Sequence, residues 1–387
     1  MKPGWKIKRL AEMLELQNGY AFDSKGFSSS NGLPLVRIRS LKAGVETETR
    51  FSGDYEKKYI VKAGDLLIGM DGEFGCYEWK GEPSLLNQRV CRLQGFTGEI
   101  IPRFLFYGLN DYLKAIEEVT GYTTVKHISS KQILEINFPV PPLADQRRIV
   151  QKLDEAFAGI AKAKENAEKN LQNARALFES HLESVFTQRG PGWADKKLEE
   201  VCGFQNGFAF KSNTFKTMGA PIIRISNIQE GRIDTENRLV FFNPKDYGEN
   251  LDRYRIVKGD LLIAMSGATT GKLGFNTEDT AFYLNQRVGK FEPGKHLDKR
   301  YLYYFLSTRV EENLRISAGA AQPNLSTEQI KGFVIPLPPI NEQKRIVERL
   351  DNLADQTQRF ARLYEQKLEA LVSLKKSILH EAFSGNL

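Results

Sequence analysis

The chain has 387 residues, of which 41% are hydrophobic and 27% charged; these are the proportions of ordinary folding domains, long enough for several cores, and they exclude a disordered or fibrous chain. Apolar runs are of strand length and the first residues lack the apolar stretch of a leader, so no membrane span or secretory signal is expected and the chain reads as cytoplasmic. A net charge of +7 suits a polyanionic partner, while three scattered cysteines and four histidines show neither the spacing of a metal site nor a disulfide framework.

In chain order, a first module opens on Pro3-Gly4-Trp5 and carries Gln17-Asn18-Gly19 within LQNGYAFDSKGF. A β-like run, Pro34–Ile38, leads into Arg37-Ile38-Arg39-Ser40, and a second, Asp65–Met70, into Asp71-Gly72-Glu73. Asn87-Gln88-Arg89 follows, then a helical stretch at Pro102–Val119, a polar loop holding Lys126-His127, and the pair Pro141-Pro142. From Leu143 to Phe186 there is no proline and no turn cluster, which predicts one helix of roughly 65 Å with a sharp, proline-marked start.

The same series then recurs, and a repeat of this kind decides the architecture. Pro191-Gly192-Trp193 stands 188 residues after its counterpart, followed by FQNGFAFKSNTF with Gln205-Asn206-Gly207. Next come Pro221–Ile225 with Arg224-Ile225-Ser226-Asn227, Asp260–Met265 with Ser266-Gly267-Ala268, and Asn285-Gln286-Arg287. The helical stretch Asp298–Leu314, the loop Gln322-Pro323-Asn324, Pro338-Pro339 and a second long helix, Ile340–Phe383, complete it at a fixed offset of 197.

In that helix Leu350, Leu353, Thr357, Phe360, Tyr364, Leu368, Leu371, Leu374 and Ile378 step by three and four, an apolar stripe. The first helix shows the same rhythm from Leu153 to His181 with smaller residues. The two stripes are expected to pack on each other, the alanines of one letting Phe360 and Tyr364 approach closely. The fold class is therefore α+β: two globular domains in tandem repeat, 1–140 and 191–337, separated by long helices within 141–190 and 338–387 and related by a pseudo-two-fold axis.

Catalytic signatures fail on inspection. Gly267-Ala268-Thr269-Thr270-Gly271-Lys272-Leu273 resembles a phosphate loop, but its glycine spacing is one residue short and Leu273 replaces the hydroxyl that would bind magnesium,. The base-holding tetrapeptide of an adenine methyltransferase has no match, since Val140-Pro141-Pro142-Leu143 and Leu337-Pro338-Pro339-Ile340 lack both its amide and its aromatic. No glycine-rich cofactor turn appears. Asp65 and Asp260 recur, but each reads as a strand-entry residue.

What recurs instead is a set of amide and guanidinium side chains near glycines, the groups able to read base edges. In the first module the candidates for DNA contact are Asn18, Arg37, Arg39, Ser40, Asp71, Glu73, Gln88, Arg89, Lys126 and His127. In the second they are Asn206, Arg224, Ser226, Asn227, Ser266, Thr269, Lys272, Gln286, Arg287, Gln322 and Asn324. Because the QNG and NQR triplets are common to both modules, a role in the fold is favoured for the latter. The positions that differ between modules are the better candidates for sequence reading.

The paired PVPPLADQRRIV and PLPPINEQKRIV helix entries, the GDLLI segments and the closing LHEAFSGNL resemble, over essentially the whole chain, the specificity subunits of type I restriction-modification systems. The resemblance implies target recognition domains that each read one half of a bipartite double-stranded DNA site, with the helices as an antiparallel coiled coil that spaces them. It also implies no catalysis or cofactor in this chain: S-adenosylmethionine would sit on two partner methyltransferase subunits, with restriction subunits in the larger assembly. A self-sufficient DNA-modifying enzyme and a non-DNA coiled-coil scaffold are the other readings. Unaided methyl transfer or DNA cleavage would mark the first, and failure to bind one bipartite sequence would mark the second.

Overall fold

The structure, a computed structural model, describes residues 4–43, 49–121, 126–237, 239–317 and 324–387. The chain divides into two units, Met1–Glu168 with Gln366–Leu387, and Lys169–Glu365. The long helices thus contribute to both.

In chain order the first unit holds β1 (Lys6–Arg9), β2 (Glu15–Asn18), β3 (Phe27–Ser28), β4 (Leu33–Val36), α1 (Ile38–Ala43), β5 (Arg50–Phe51), β6 (Ile60–Val61) and β7 (Leu66–Gly69). It continues with β8 (Gly75–Glu78), β9 (Ser84–Leu86), β10 (Val90–Gln94), α2 (Pro102–Val119), α3 (Ser130–Leu134), β11 (Asn137–Val140) and the start of α4 (Leu143–Thr187). One sheet is antiparallel in the order β2-β10-β7-β8, another runs β3-β5-β4-β9-β6, and β1 pairs with β11. The last pairing brings the opening of the module to the strand that feeds α4.

The second unit repeats this plan: β12 (Ala194–Lys197), α5 (Leu198–Val201), β13 (Cys202–Asn206), β14 (Ala220–Ile223), β15 (Ile228–Gln229), β16 (Gly231–Ile233), β17 (Val240–Phe242) and β18 (Arg255–Ile256). Then come β19 (Leu261–Ala264), β20 (Leu273–Phe275), β21 (Phe282–Leu284), β22 (Val288–Pro293), α6 (Lys299–Ser317), α7 (Thr327–Lys331), β23 (Val334–Leu337) and α8 (Ile340–Ser384). Its sheets are ordered β13-β22-β19-β20-β16-β15 and β17-β14-β21-β18, with β12 on β23.

The recurrent GDLLI segment is apolar without alternation because its strand is covered on both faces. Leu66 and Ile68 of β7 join the core that α2 supplies with Phe104, Leu105, Leu109 and Leu113, whereas Leu67 faces Val36, Trp79 and Val90. In β19, Leu261 and Ile263 meet Tyr301 and Phe305 of α6, and Leu262 faces Ile222 and Leu284. Asp65 and Asp260 do enter the strands as turn residues, accepting from Lys62 N and Val257 N at 2.9 Å.

Within each unit the two long-helix segments run antiparallel. In the first, Lys375 lies over the Phe157 ring at 5.0 Å and Ala382 joins the core of Ile149 and Leu153. In the second, Arg175 bonds Glu365 at 2.9 Å while Leu182 and Phe186 pack with Val347 and Leu350. The seam departs from the expected stripe in places. Leu177 and Phe360 are more than half exposed and Leu374 nearly so, so the alanines of α4 do not receive Phe360. After Ala174 the positions turned toward the core step by four, through half-buried Phe178 and buried Leu182 to Phe186. A 3.6-residue helix drifts against a strict three-and-four alternation, and a four-residue step absorbs that drift.

Candidate nucleic-acid interface

Antiparallel pairing sets Cys91 opposite Asn18 and Val90 opposite Gly69, so Asn18, Arg89 and Asp71 emerge at the same end of the first unit's central sheet. The loop holding Lys126 and His127 is stitched across that end: Ile128 N donates to Met70 O and Gly72 N to Lys126 O, both at 2.9 Å. Asp71 Oδ1 lies 2.6 Å from His127 Nδ1, and its Oδ2 lies 3.4 Å from Arg89 Nε. The Ser130 hydroxyl donates to Asn18 Oδ1 at 2.6 Å. Glu73 pairs with Lys42 of α1; this hydrogen bond lowers the carboxyl's pKa and raises that of the amine. Gln88, Arg89, Arg37 and Arg39 are exposed.

The second unit builds the corresponding end from different residues. Ser266 bridges Asn324 as Asp71 bridges His127, and Leu325 N donates to Met265 O at 2.8 Å. Asn206 and Thr327 exchange hydrogen bonds at 2.8 and 3.1 Å. Gln286, Arg287 and Asn324 are exposed, Lys272 and Ser226 half-buried. Gly267–Thr269 forms a short turn, with φ +79° at Gly267, that docks on the Arg224–Asn227 segment when the Thr269 hydroxyl donates to Ile225 O at 3.0 Å. Gln322 lies outside the described residues.

Several candidates are engaged in holding the fold. Ser40 is buried, accepting from Arg37 N at 2.9 Å and donating to Arg37 O at 2.7 Å. Asn227 is fully buried: its Oδ1 accepts from Arg224 N and its amide donates to Asp234 O and Asn237 O. Ser266 is also buried, and Lys126 reaches Glu117 O at 2.7 Å. The QNG and NQR triplets meet each other. A Cβ on Gly19 would stand 2.0 Å from Asn87 O, and one on Gly207 2.1 Å from Asn285 O, distances only glycine tolerates. Gln17 is likewise spent on Lys58 O and on Arg92.

The sequence reading passed over Lys42, Ser130 and Thr327. Ser130 and Thr327 carry a signal, a hydroxyl 197 residues apart at the first position of α3 and α7. Among the described residues no helix is long and apolar enough to cross a membrane.

A duplicated α+β module with a polar sheet end in each copy, each buttressed by segments of two long helices, defines a tandem-repeat protein of the target-recognition kind. The chain belongs to the type I restriction-modification DNA specificity family, whose model, described as the type I restriction modification DNA specificity domain, matches residues 2–170 and 191–370. It is 30% identical to the type I restriction enzyme EcoBI specificity subunit of Escherichia coli, covering 99% of this chain and 86% of that protein. It is 26% identical to the MjaVIII specificity subunit of Methanocaldococcus jannaschii over 99% of this chain and 93% of that one. Two solved structures share the fold. A chain from a type I R-M system gives a TM-score of 0.80 at 21% identity, covering 100% of this chain and 99% of its own. The HsdS subunit from Thermoanaerobacter tengcongensis gives 0.63 at 20% identity, covering 100% and 98%.

Proposed function

We propose that this chain is the non-catalytic, DNA-reading subunit of a type I restriction-modification complex, each unit contacting one half of an asymmetric bipartite target in the cytoplasm. The observation that carries this reading is the duplicated sheet end: its frame, with Arg89 and Arg287 at matching places, is common to both units, while Asp71 and His127 in one stand where Ser266 and Asn324 stand in the other. A shared frame with unlike side chains suits two half-sites of unlike sequence. In this reading one methyltransferase subunit docks beside each unit and supplies the S-adenosylmethionine site. Restriction subunits join the larger assembly, and the long helices fix the spacer.

The experiment is co-expression with the cognate methyltransferase subunit, followed by genome-wide mapping of methylated adenines by long-read sequencing. An asymmetric bipartite motif is expected. Random or absent methylation would overturn the reading, and methylation by the chain alone would show it to be an enzyme.

A further inference from the structure

Resting on that DNA-reading role, we infer that Arg89 reads a guanine in the half-site of the first unit and that Asp71 is its positioning residue. Asp71 faces Arg89 through Nε, at 3.4 Å, so the acid braces the side of the guanidinium and leaves the terminal Nη1 and Nη2 pair. Neither Nη atom has a described partner, and the side chain is 56% exposed. That planar pair of donors is the fork that matches O6 and N7 of guanine in the major groove.

Asp71 would be a liability at such a surface if it were free, because a bare carboxylate repels phosphate. Here Oδ1 is engaged by His127 Nδ1 at 2.6 Å, Oδ2 faces the Arg89 guanidinium as an ion pair, and the side chain is only 20% exposed. Its backbone is held as well, bridged to His127 beside the end of β7. The acid is thus fixed from two sides and can hold the long arginine in place before DNA arrives, removing part of the ordering cost of binding.

The second unit lacks the brace. Arg287 occupies the place of Arg89, but Ser266 and Asn324 replace the acid and the imidazole, and among the described residues no carboxylate pairs with Arg287. The inference is therefore confined to the first unit, where it separates a base-reading arginine from a phosphate-binding one.

Arg89→Lys, Arg89→Ala, Asp71→Ser and Arg287→Lys are each co-expressed with the methyltransferase subunit and their methylated motifs compared with that of the unaltered chain. Arg89→Lys keeps the charge but loses the planar fork. It should relax a single G·C position in one half-site, with discrimination there falling on the order of ten- to a hundredfold. Asp71→Ser, which copies the residue of the second unit, should relax the same position less, and Arg287→Lys should leave that half-site unchanged. Uniformly weaker methylation in Arg89→Ala with every motif position intact would make Arg89 a phosphate contact and overturn the inference, as would an unaltered motif in Arg89→Lys. If even the unaltered chain yields no bipartite motif, the DNA-reading role itself fails, and this inference with it.

Discussion

The ring of Phe383, the next-to-last residue of α8, lies 5.0 Å from that of Phe104 in the first module. There is room for it because α2 has a glycine beneath: a Cβ on Gly108 would come within 2.4 Å of the Phe383 ring. The counterpart of Phe383, 197 residues earlier, is Phe186, and it packs in the second unit against Tyr301 and Phe305 at 5.2 and 5.6 Å. Each module is completed by the end of the helix that follows the other. Removing residues 366–387 should therefore destabilise the first unit, although that unit begins at the opposite end of the sequence. Phe383→Ala alone should cost about 3 kcal/mol. Limited proteolysis checks this: cleavage should appear within residues 4–168 and spare 169–365, and equal protection of both would refute it.

Gln146 is the buried polar residue at the start of α4, and it satisfies three backbone groups: it accepts from Ile101 N and donates to Glu99 O and Pro141 O, each at 2.8 Å. Gln343 repeats the pattern with Asp298 N, His296 O and Pro338 O. Leucine of similar size at either place leaves those groups unpaired in the interior, and each costs about 1–3 kcal/mol. Gln146→Leu and Gln343→Leu should each lower the thermal midpoint by several degrees. A denaturation scan that matched the unaltered chain would show that water replaces the amide.

Acid sensitivity should arise where α2 meets α4. Burial alone would raise the Asp154 carboxyl, but hydrogen bonds from Arg103 and Tyr107 outweigh it and leave the carboxyl below its usual 3.8. Burial, then the bond to Asp154, pushes the Tyr107 hydroxyl up to about 12, so it keeps its proton and donates throughout. A carboxyl depressed by folding stabilises the protein above its unfolded value and loses that effect as pH falls through the folded one. Asp154→Asn should therefore destabilise near neutrality, by about 1 kcal/mol once screening at a carboxyl 36% exposed is allowed for,. The gap from the unaltered chain should close as pH drops below about 4. A gap independent of pH would assign the effect to shape rather than charge.

These contacts show what a single sequence makes legible. The bounds of α2 and α4 and the strand character of GDLLI follow from local pattern, since proline placement and unbroken apolar runs act over a few residues. The seam of α4 beyond Ala174 was not legible, because positions 177 and 178 both fit an apolar stripe and only the partner surface decides between them. The polar residues were harder still. Asn18 and Ser130 are 112 positions apart, and nothing local distinguishes an amide that holds a strand end from one that faces a ligand. The mutual approach of Gly19 and Asn87 joins two motifs that had looked separate.

That approach is testable apart from any ligand. Gly19→Ala and Gly207→Ala each drive a methyl group into a carbonyl oxygen, so the strand crossing must open and stability should fall by at least 1–3 kcal/mol. Asn18→Ala removes only an exposed hydrogen bond to Ser130 and should cost about 1 kcal/mol or less. Equilibrium urea unfolding ranks the three variants. An alanine at 19 as stable as glycine would mean that the two triplets are not a fold element.

If the long helices set the spacer, as proposed, lengthening them should lengthen it. Seven residues inserted between Glu168 and Lys169, and seven more between Glu365 and Gln366, fall where the units divide. Because the helix segments within each unit are antiparallel, paired insertions of equal length keep their partners matched, and seven residues return the helix to within about 20° of its original face. The added length is roughly 10 Å at 1.5 Å per residue, equivalent to at most about three base pairs of duplex at 3.4 Å each. The methylated motif should keep both half-sites and gain up to that many positions between them. Some loss of affinity should accompany the gain, since three base pairs also rotate one half-site by about a quarter turn or more relative to the other. An unchanged spacer in a folded, active variant would mean that the helices are not the ruler.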